Sequence, residues 1–360
     1  MNRILREDYT ALATRLGGLV DRFEGSRILM TGAAGFMGRY IAGFLSYLNT
    51  EVLRHPLEAD LVDSFVLDEQ RQSPMEFPVR YGDVSKGITV SHAPDYIIHA
   101  AGIASPKDYS RFPIETLEVG TTGTRHMLEL ARETACRRMV FLSSSEVYGD
   151  PDPRNVPTKE TYNGNVSTSG PRACYDESKR IGETWSFVYA RVHQVPVNVI
   201  RPFNIYGPGF RRLDGRVIPS FIENAAAGRP LVLHGNGGYT RTFCYVADGV
   251  DALLRVLFCD VTGEAFNVGS DGPEISMRQL AETVQEVAPH RVPVVYLEPE
   301  LSAYAVDNPQ RRCPDISKLS ALTHFRPAYS LRDGLSRTMD WYVEEHGVES
   351  HLEPVRTETE

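Results

Sequence analysis

The segment Thr31-Gly32-Ala33-Ala34-Gly35-Phe36-Met37-Gly38 constrains the fold more than any other. It lies between RILMTG, which reads as a buried strand, and GFMGRYIAGFLSYL, which reads as a helix. A strand that turns on glycine into a helix offers free backbone N–H groups and the positive helix end to an anion. In that setting Gly32 permits the tight turn, Gly35 a close approach of backbone to a pyrophosphate, and Gly38 close packing of helix on strand, with Phe36 and Met37 in the same turn. The alternation continues through DYIIHAAG (strand), ETLEVGTTGTRHMLELARET (helix), RRMVFLSSS (strand), YDESKRIGETWSFVYARVH (helix) and VPVNVIRPFNIYG (strand). Strands separated by helices of this length pair in parallel through right-handed crossovers. The expected fold is therefore α/β, a Rossmann doubly wound parallel sheet with a smaller C-terminal α/β substrate domain.

The 360 residues, 42% of them hydrophobic, suffice for both parts. Residues 1–25 read as an N-terminal helical extension, since Leu12, Leu16, Leu19 and Phe23 recur at near-helical spacing. Residues 26–206 read as the dinucleotide domain, with a returning segment at about 243–268, and 207–345 mainly as the substrate domain, where PLVLHG and VPVVYL are short strands. Residues 346–360 read as a flexible tail. A net charge of -9 without a basic run argues against a nucleic-acid partner. No stretch approaches the roughly 20 apolar residues of a membrane helix, and the N-terminus lacks a signal-peptide core, so the expected location is cytoplasmic. The five cysteines (Cys136, Cys174, Cys244, Cys259, Cys313) lack metal-ligand spacing, and neither a metal site nor a disulfide frame is expected.

Asp63, at the end of the ADLVD strand, can accept from the ribose hydroxyls and would repel a 2′-phosphate, which favours NAD over NADP. Asp68 rivals it, because LVDSFVLDEQ offers two acids near an uncertain strand end. Asp83 in YGDVS is the expected adenine-side contact, with Val84 beside it. In HAAG, the small Ala100, Ala101 and Gly102 let backbone pass close to the cofactor, whereas His99 is expected to be a packed core histidine. Pro202 completes the expected cofactor contacts.

Tyr175 and Lys179, in ACYDESKR, are one helical turn apart and share a face. A lysine there can lower the tyrosine's pKa and reach the nicotinamide ribose, leaving Tyr175 as general base toward a sugar hydroxyl. The strand end FLSSSEVYG supplies a hydroxyl to polarise the developing carbonyl; Ser144 is chosen for that role, with Ser145 adjacent.

Together TGAAGFMG, HAAG, SSSEVYGDP, YDESK and RPFNIYGPG resemble the extended short-chain dehydrogenase/reductases, the NAD-dependent epimerase/dehydratase family. More narrowly, SEVYGDP, GPRACYDESKR, DGRVIPSFI, TRTFCYVAD and DNPQRRCPDISK resemble the UDP-glucuronate decarboxylases (UDP-xylose synthases). Coverage runs from Arg27 to Tyr342. The resemblance implies oxidation of a UDP-sugar at C4, loss of carbon dioxide from the β-keto acid, protonation at C5 and return of the hydride. Glu146 would then position the ring or manage a proton, whereas simple 4-epimerases typically carry a small neutral residue there. In 4,6-dehydratases of the dTDP-glucose type an acid stands where this chain has Ser145. Arg241 resembles the arginine near the substrate carboxylate, with a phosphate clamp as its rival role. Asn204 and Arg216 look like diphosphate and nucleotide contacts, and Ser105 and Tyr109 like the sugar-facing loop.

Three places depart from the decarboxylase pattern: Gly120 where an Asn is usual, Val166-Ser167-Thr168-Ser169-Gly170 in place of VNPIG, and DSFVLDEQ in place of DNFFTGRK. The first two are expected near the sugar. They leave open a nucleotide-sugar 4-epimerase or 4,6-dehydratase on a related hexose or hexuronate. A non-catalytic NAD-bound sensor is a reading of a different class, which the intact Ser144, Tyr175 and Lys179 oppose. The resemblance also implies a homodimer built on paired helices.

Overall fold

A computed structural model describes residues 1–66, 77–212, 214–297 and 309–347. Asp68, much of the DSFVLDEQ segment and nearly all of the expected tail lie outside them.

Six strands enter the main sheet before residue 203: β1 (Arg27–Thr31), β2 (Glu58–Asp63), β3 (Val79–Tyr81), β4 (Tyr96–His99), β5 (Arg138–Leu142) and β6 (Val197–Pro202). A seventh, Ala265–Val268, comes from the returning segment and pairs with β6. All pairs are parallel, in the order Ala265–Val268, β6, β5, β4, β1, β2, β3. The chain winds outward from β1 through β2 and β3, then restarts on the other side with β4. Crossovers leaving in opposite directions open a crevice beyond the carboxyl ends of β1 and β4, where a doubly wound sheet takes its ligand. Leu29, Ile97, Met139 and Val199 are sealed from solvent on the central strands, as apolar residues must be when helices cover both faces.

The N-terminal extension folds as a helix, Arg3–Leu16, and a 3-10 helix, Gly17–Phe23. The Asn2 side chain accepts from the Ile4 N–H at 2.9 Å and starts the helix. Gly17, with φ +54, ends it. Ile4, Tyr9, Leu12 and Leu16 are buried along one face.

Beyond β6 the secondary structure is short. Leu231–His234 pairs in parallel with Val294–Leu297. Thr240–Arg241 is flanked by Ile275–Ser276 and Arg311–Arg312, and the register sets Arg312 beside Arg241. Two residues far apart in sequence thus become neighbours at the mouth of the crevice.

Candidate active site

The glycine turn is shaped by close contact. Gly32 has φ +73, and a Cβ there would stand 2.5 Å from the Ala100 carbonyl carbon and 2.6 Å from the Ala101 nitrogen. A Cβ on Gly38 would strike the Gly32 carbonyl oxygen. Gly35 caps the helix Phe36–Glu51 with no side chain over its first N–H groups, so that helix end stays open to an anion. Asp63 ends β2 and accepts from the Ala34 N–H at 2.9 Å and the Phe65 N–H at 2.8 Å. It therefore sits against the turn, where ribose hydroxyls would meet it. Asp83 caps a short turn, accepting from Ser85 and pairing with Lys86 at 3.4 Å; buried Val84 follows and packs on Gly123. His99 is fully buried between the Thr31 and Thr124 hydroxyls, at 2.7 and 3.1 Å. Burial and the Lys179 charge push it down to about 3, which makes it a neutral core residue. Ala100–Gly102 follow β4 next to the turn, and Pro202 ends β6. These features, an open helix end, a cradle with no room for a Cβ and an acid at the second strand end, fit a dinucleotide.

The helix Ala173–His193 carries Tyr175 and Lys179 over the carboxyl end of β5. It is pinned by a buried network in which Arg201 on β6 donates to both Glu183 oxygens, at 2.9 and 2.6 Å, and Glu183 accepts from Ser143. Arg201 also donates to the Tyr148 hydroxyl, which donates to Asn267 at 2.7 Å on the last strand. One helix and three strands are tied at the level of the site.

The Ser144 hydroxyl lies close enough to Tyr175 to pull its pKa down. Tyr109 lies flat on Tyr175, with ring centroids 5.5 Å apart at 12°. Ser105 caps the short helix carrying Tyr109. Lys179 Nζ donates to the Leu142 carbonyl at 2.7 Å and sits 5.9 Å from the Tyr175 ring centroid. Burial lowers Lys179 to about 8, against a weak opposing pull from Glu183. Lys179 does not stand among the largest influences on Tyr175. Burial pushes Tyr175 up to about 12, Glu146 and Asp176 add to the rise, and the nearby Ser144 and Arg216 only partly offset it.

Glu146 is buried in a turn of 3-10 helix with Ser145, and it is not a free acid. Arg172 and Arg312 each reach it at 2.7 Å. Burial alone would raise it, but Arg312, then Arg172, with Arg241 behind them, hold it below the usual carboxylate range. Asp176, one residue after Tyr175, is pushed up to about 7 by burial and then by the Glu146 charge. Arg241 is itself buried, and its guanidinium donates to the carbonyls of Thr240, Pro309 and Gln310. Asn204, at φ +44, donates to the Thr242 carbonyl at 2.8 Å and accepts from Arg312. Arg216 pairs with Asp214 through both nitrogens and stacks over Phe36 at 5.5 Å, joining the substrate side to the glycine turn.

Of the two departures expected beside the sugar, Gly120 lies against the helix that carries Tyr175 and Lys179. It is packed under the helix Ala173–His193, where a Cβ would stand 2.6 Å from the Ser178 Cβ. The site residues that sequence reasoning missed are Arg172, Asp176, Thr242 and Arg312. Arg172 and Asp176 stand in GPRACYDESK on either side of the tyrosine, yet nothing local shows that their partner is Glu146.

The profile of the NAD dependent epimerase/dehydratase family matches residues 28–269. UDP-glucuronic acid decarboxylase 1 of Xenopus tropicalis is 36% identical over 327 residues, 89% of this chain and 73% of that protein. UDP-glucuronic acid decarboxylase 6 of Arabidopsis thaliana is 37% identical over 314 residues, 86% of each. Among solved structures, Epimerase Mth375 from Methanothermobacter thermautotrophicus is similar with a TM-score of 0.77 at 25% identity, covering 92% of this chain and 96% of that one. DesIV, a dTDP-glucose 4,6-dehydratase from Streptomyces venezuelae solved with NAD and TYD bound, gives 0.73 at 25% identity, covering 89% and 98%. With the glycine cradle, the nearness of Ser144 to Tyr175 and these likenesses in agreement, the chain belongs to the NAD dependent epimerase/dehydratase family, as an enzyme with NAD for its cofactor.

Proposed function

We propose that the chain decarboxylates UDP-glucuronate to UDP-xylose. The observation that carries this reading is the group of guanidinium ions beside the Ser144–Tyr175 pair. Arg172, Arg312 and Arg241 act on Glu146, and the first two also on Asp176, which leaves three guanidinium ions for two carboxyls, an excess of positive charge suited to a ligand with a diphosphate and a sugar carboxylate. The likeness to decarboxylases along most of the chain supports it. When bound, NAD supplies the hydride acceptor for C4 and returns the hydride at the end. Ser144 holds the C4 oxygen, and Tyr175, once its own proton has left to solvent, takes the sugar's proton as the phenolate. Loss of carbon dioxide then leaves an enolate whose oxygen lies between the same two hydroxyls, where hydrogen bonds strengthen as charge develops. Arg241 and Arg312 hold the anionic groups, Arg216 and Asn204 the nucleotide side, and Ser105, Tyr109 and Ser145 the walls around the sugar. Gly32 to Gly38, Asp63, Asp83, Val84, Ala100 to Gly102, Lys179 and Pro202 hold the cofactor.

Residues 26–206 with the returning segment form the cofactor domain in this reading, and 207–345 close over the nucleotide sugar. The enzyme works in the cytoplasm as a homodimer. Exposed Ile114, Leu117 and Ile181 lie on the packed helices Pro113–Glu118 and Ala173–His193 and supply an apolar face for it.

Incubating the NAD-loaded protein with UDP-glucuronate should release carbon dioxide and yield a UDP-pentose by mass. Unchanged UDP-glucuronate would overturn the substrate assignment. The likeness in fold to an epimerase and a dehydratase keeps a second reading, 4-epimerisation or 4,6-dehydration of a nucleotide hexose. The same mass measurement on UDP-hexoses would show an unchanged mass with altered stereochemistry, or loss of water.

A further inference from the structure

Among the described residues, five buried side-chain atoms have no hydrogen-bond partner: Glu146 Oε2, Arg172 Nε, Asp176 Oδ1, Thr242 Oγ1 and Arg312 Nη2. They belong to one neighbourhood. Arg172 and Arg312 meet at Glu146 in charge contacts whose angles leave Oε2 and Nη2 without a hydrogen bond. Asp176 begins the turn above Arg172, its N–H donating to the Arg172 carbonyl at 3.1 Å. Thr242 N–H donates to the Arg312 carbonyl at 3.1 Å. Glu146, Arg172, Asp176 and Thr242 are only 9%, 4%, 5% and 0% exposed, so bulk water does not satisfy them. Glu146 Oε2 and Arg312 Nη2 are at least charge-paired, whereas Arg172 Nε, Asp176 Oδ1 and Thr242 Oγ1 are not, and a buried polar atom left unpaired costs roughly 1–3 kcal/mol and is scarce in a finished core.

The orphans are of two kinds. The arginine nitrogens and the threonine hydroxyl are donors that an anion would satisfy. Asp176 Oδ1 is an acceptor that an anion would only repel, and Glu146 Oε2 is already charge-paired with Arg172 at 2.7 Å. A proton on one carboxyl turns an acceptor into a donor and removes a negative charge, so an anion and a proton together complete the set.

We propose that the anionic nucleotide sugar binds together with one proton, and that Asp176 is the positioning residue that holds it, acting through Glu146 and its two arginines. This rests on the nucleotide-sugar reading above and deepens it. Asp176 faces Glu146 and Glu177, which repel its charge, and Arg172 and Arg312, which favour it. With burial the largest influence, the balance leaves its carboxyl at about 7, poised for an arriving anion to tip it to the protonated form. The coupling matches the chemistry. Decarboxylation breaks the C5–C6 bond, carbon dioxide leaves, the electron pair stays in the C4 enolate, and C5 takes up one proton from solvent per turnover. Binding would draw that proton into the site beforehand.

The test is calorimetric titration of the NAD-loaded Tyr175→Phe protein with UDP-glucuronate, and separately with UDP-glucose, in buffers of different ionisation enthalpy. Neither ligand has a group that titrates between pH 6 and pH 8. Uptake should be near zero at pH 6, where Asp176 is already protonated, and should approach one proton per site at about pH 8. Adding Asp176→Asn should abolish the uptake, and Asp176→Glu should restore it. Uptake that is flat with pH in the parent, or equal with and without Asp176→Asn, overturns the proposal; the parent profile decides even if the Asn variant does not fold. Proton-coupled binding of UDP-glucose with no binding of UDP-glucuronate would uphold the coupling and overturn the substrate reading alone.

Discussion

Tyr175 is a buried phenol set beside the Ser144 hydroxyl. Replacing it with Phe removes the proton acceptor but leaves the stacking on Tyr109 and the helix intact. Tyr175→Phe should lower kcat by about 10²- to 10⁴-fold, the usual reach of general acid–base catalysis, with unchanged thermal unfolding. Asp176 makes the opposite kind of prediction, one about stability. Its carboxyl rises from 3.8 to about 7 on folding, so between those values the folded chain holds more of the proton than the unfolded chain. The stability associated with the protonated group is present below pH 4 and is lost as pH rises through 7. An Asn cannot ionise, so Asp176→Asn should be more stable than the parent at pH 8, by an amount on the order of 1–3 kcal/mol, and should lose that advantage near pH 4. Urea unfolding at the two pH values measures it; an advantage that grows toward acid would contradict the assignment. The sequence names Ser144, Tyr175 and Lys179 through local spacing alone. It hides the clamp on Glu146, because Arg172 and Arg312 converge there only after the Arg311–Arg312 strand has paired beside Arg241.

The segment ETLEVGTTGTRHMLELARET reads as one helix, and the chain is helical without a break from Pro113 to Glu133, with a wider turn at Val119–Gly123 inside it. Apolar periodicity carries no mark of that turn. The glycines in it do, once their neighbours are known: Gly120 lies against Ser178, and a Cβ on Gly182 would meet the Phe141 ring and the Gly120 carbonyl. Backbone approaches backbone here, which sets the height of the catalytic helix over the sheet. Gly120→Ala places a Cβ 2.6 Å from the Ser178 Cβ and 3.1 Å from its carbonyl carbon, so the helix must shift. A loss of about 1–3 kcal/mol in urea unfolding is expected, as for overpacked cores, together with a fall in kcat because Tyr175 and Lys179 ride on the displaced helix. Ser178→Gly should recover part of both. The β-strands, by contrast, were legible throughout the first half, because a buried parallel strand is an unbroken apolar run between turn residues.

The N-terminal helix shows how a segment remote from the chemistry bears on it at the scale of the molecule. Asp8 is fully buried on the helix face that also carries Ile4, Leu12 and Leu16. It accepts from the Tyr245 hydroxyl at 2.6 Å, from Tyr40 at 3.3 Å and from Arg337 at 2.7 Å. Those partners come from the strand just after Arg241, the helix behind the glycine turn and the C-terminal helix Leu331–His346. Arg15, two turns on, donates to Asp248 at 2.6 Å and Asp251 at 2.8 Å. The extension, read from sequence as a packing appendage, is a clasp across three parts of the fold. Its polar half escaped notice because an aspartate among leucines looks like solvent-facing charge until its partners are known. Removing one member of a buried ionic group leaves the others uncompensated, at a cost of about 3–5 kcal/mol. Asp8→Ala takes the nearer partner from Arg337, which is partly exposed and keeps Glu7 at 3.1 Å, so the lower end of that range is expected in urea unfolding. Because Tyr245 is anchored through Asp8, the Thr240–Tyr245 segment should loosen as well. KM for the nucleotide sugar should then rise more than kcat falls, since Arg241 serves binding while Tyr175 and Ser144 stand on other elements. Measured stability loss with KM unchanged would show that the clasp holds the fold without reaching the site.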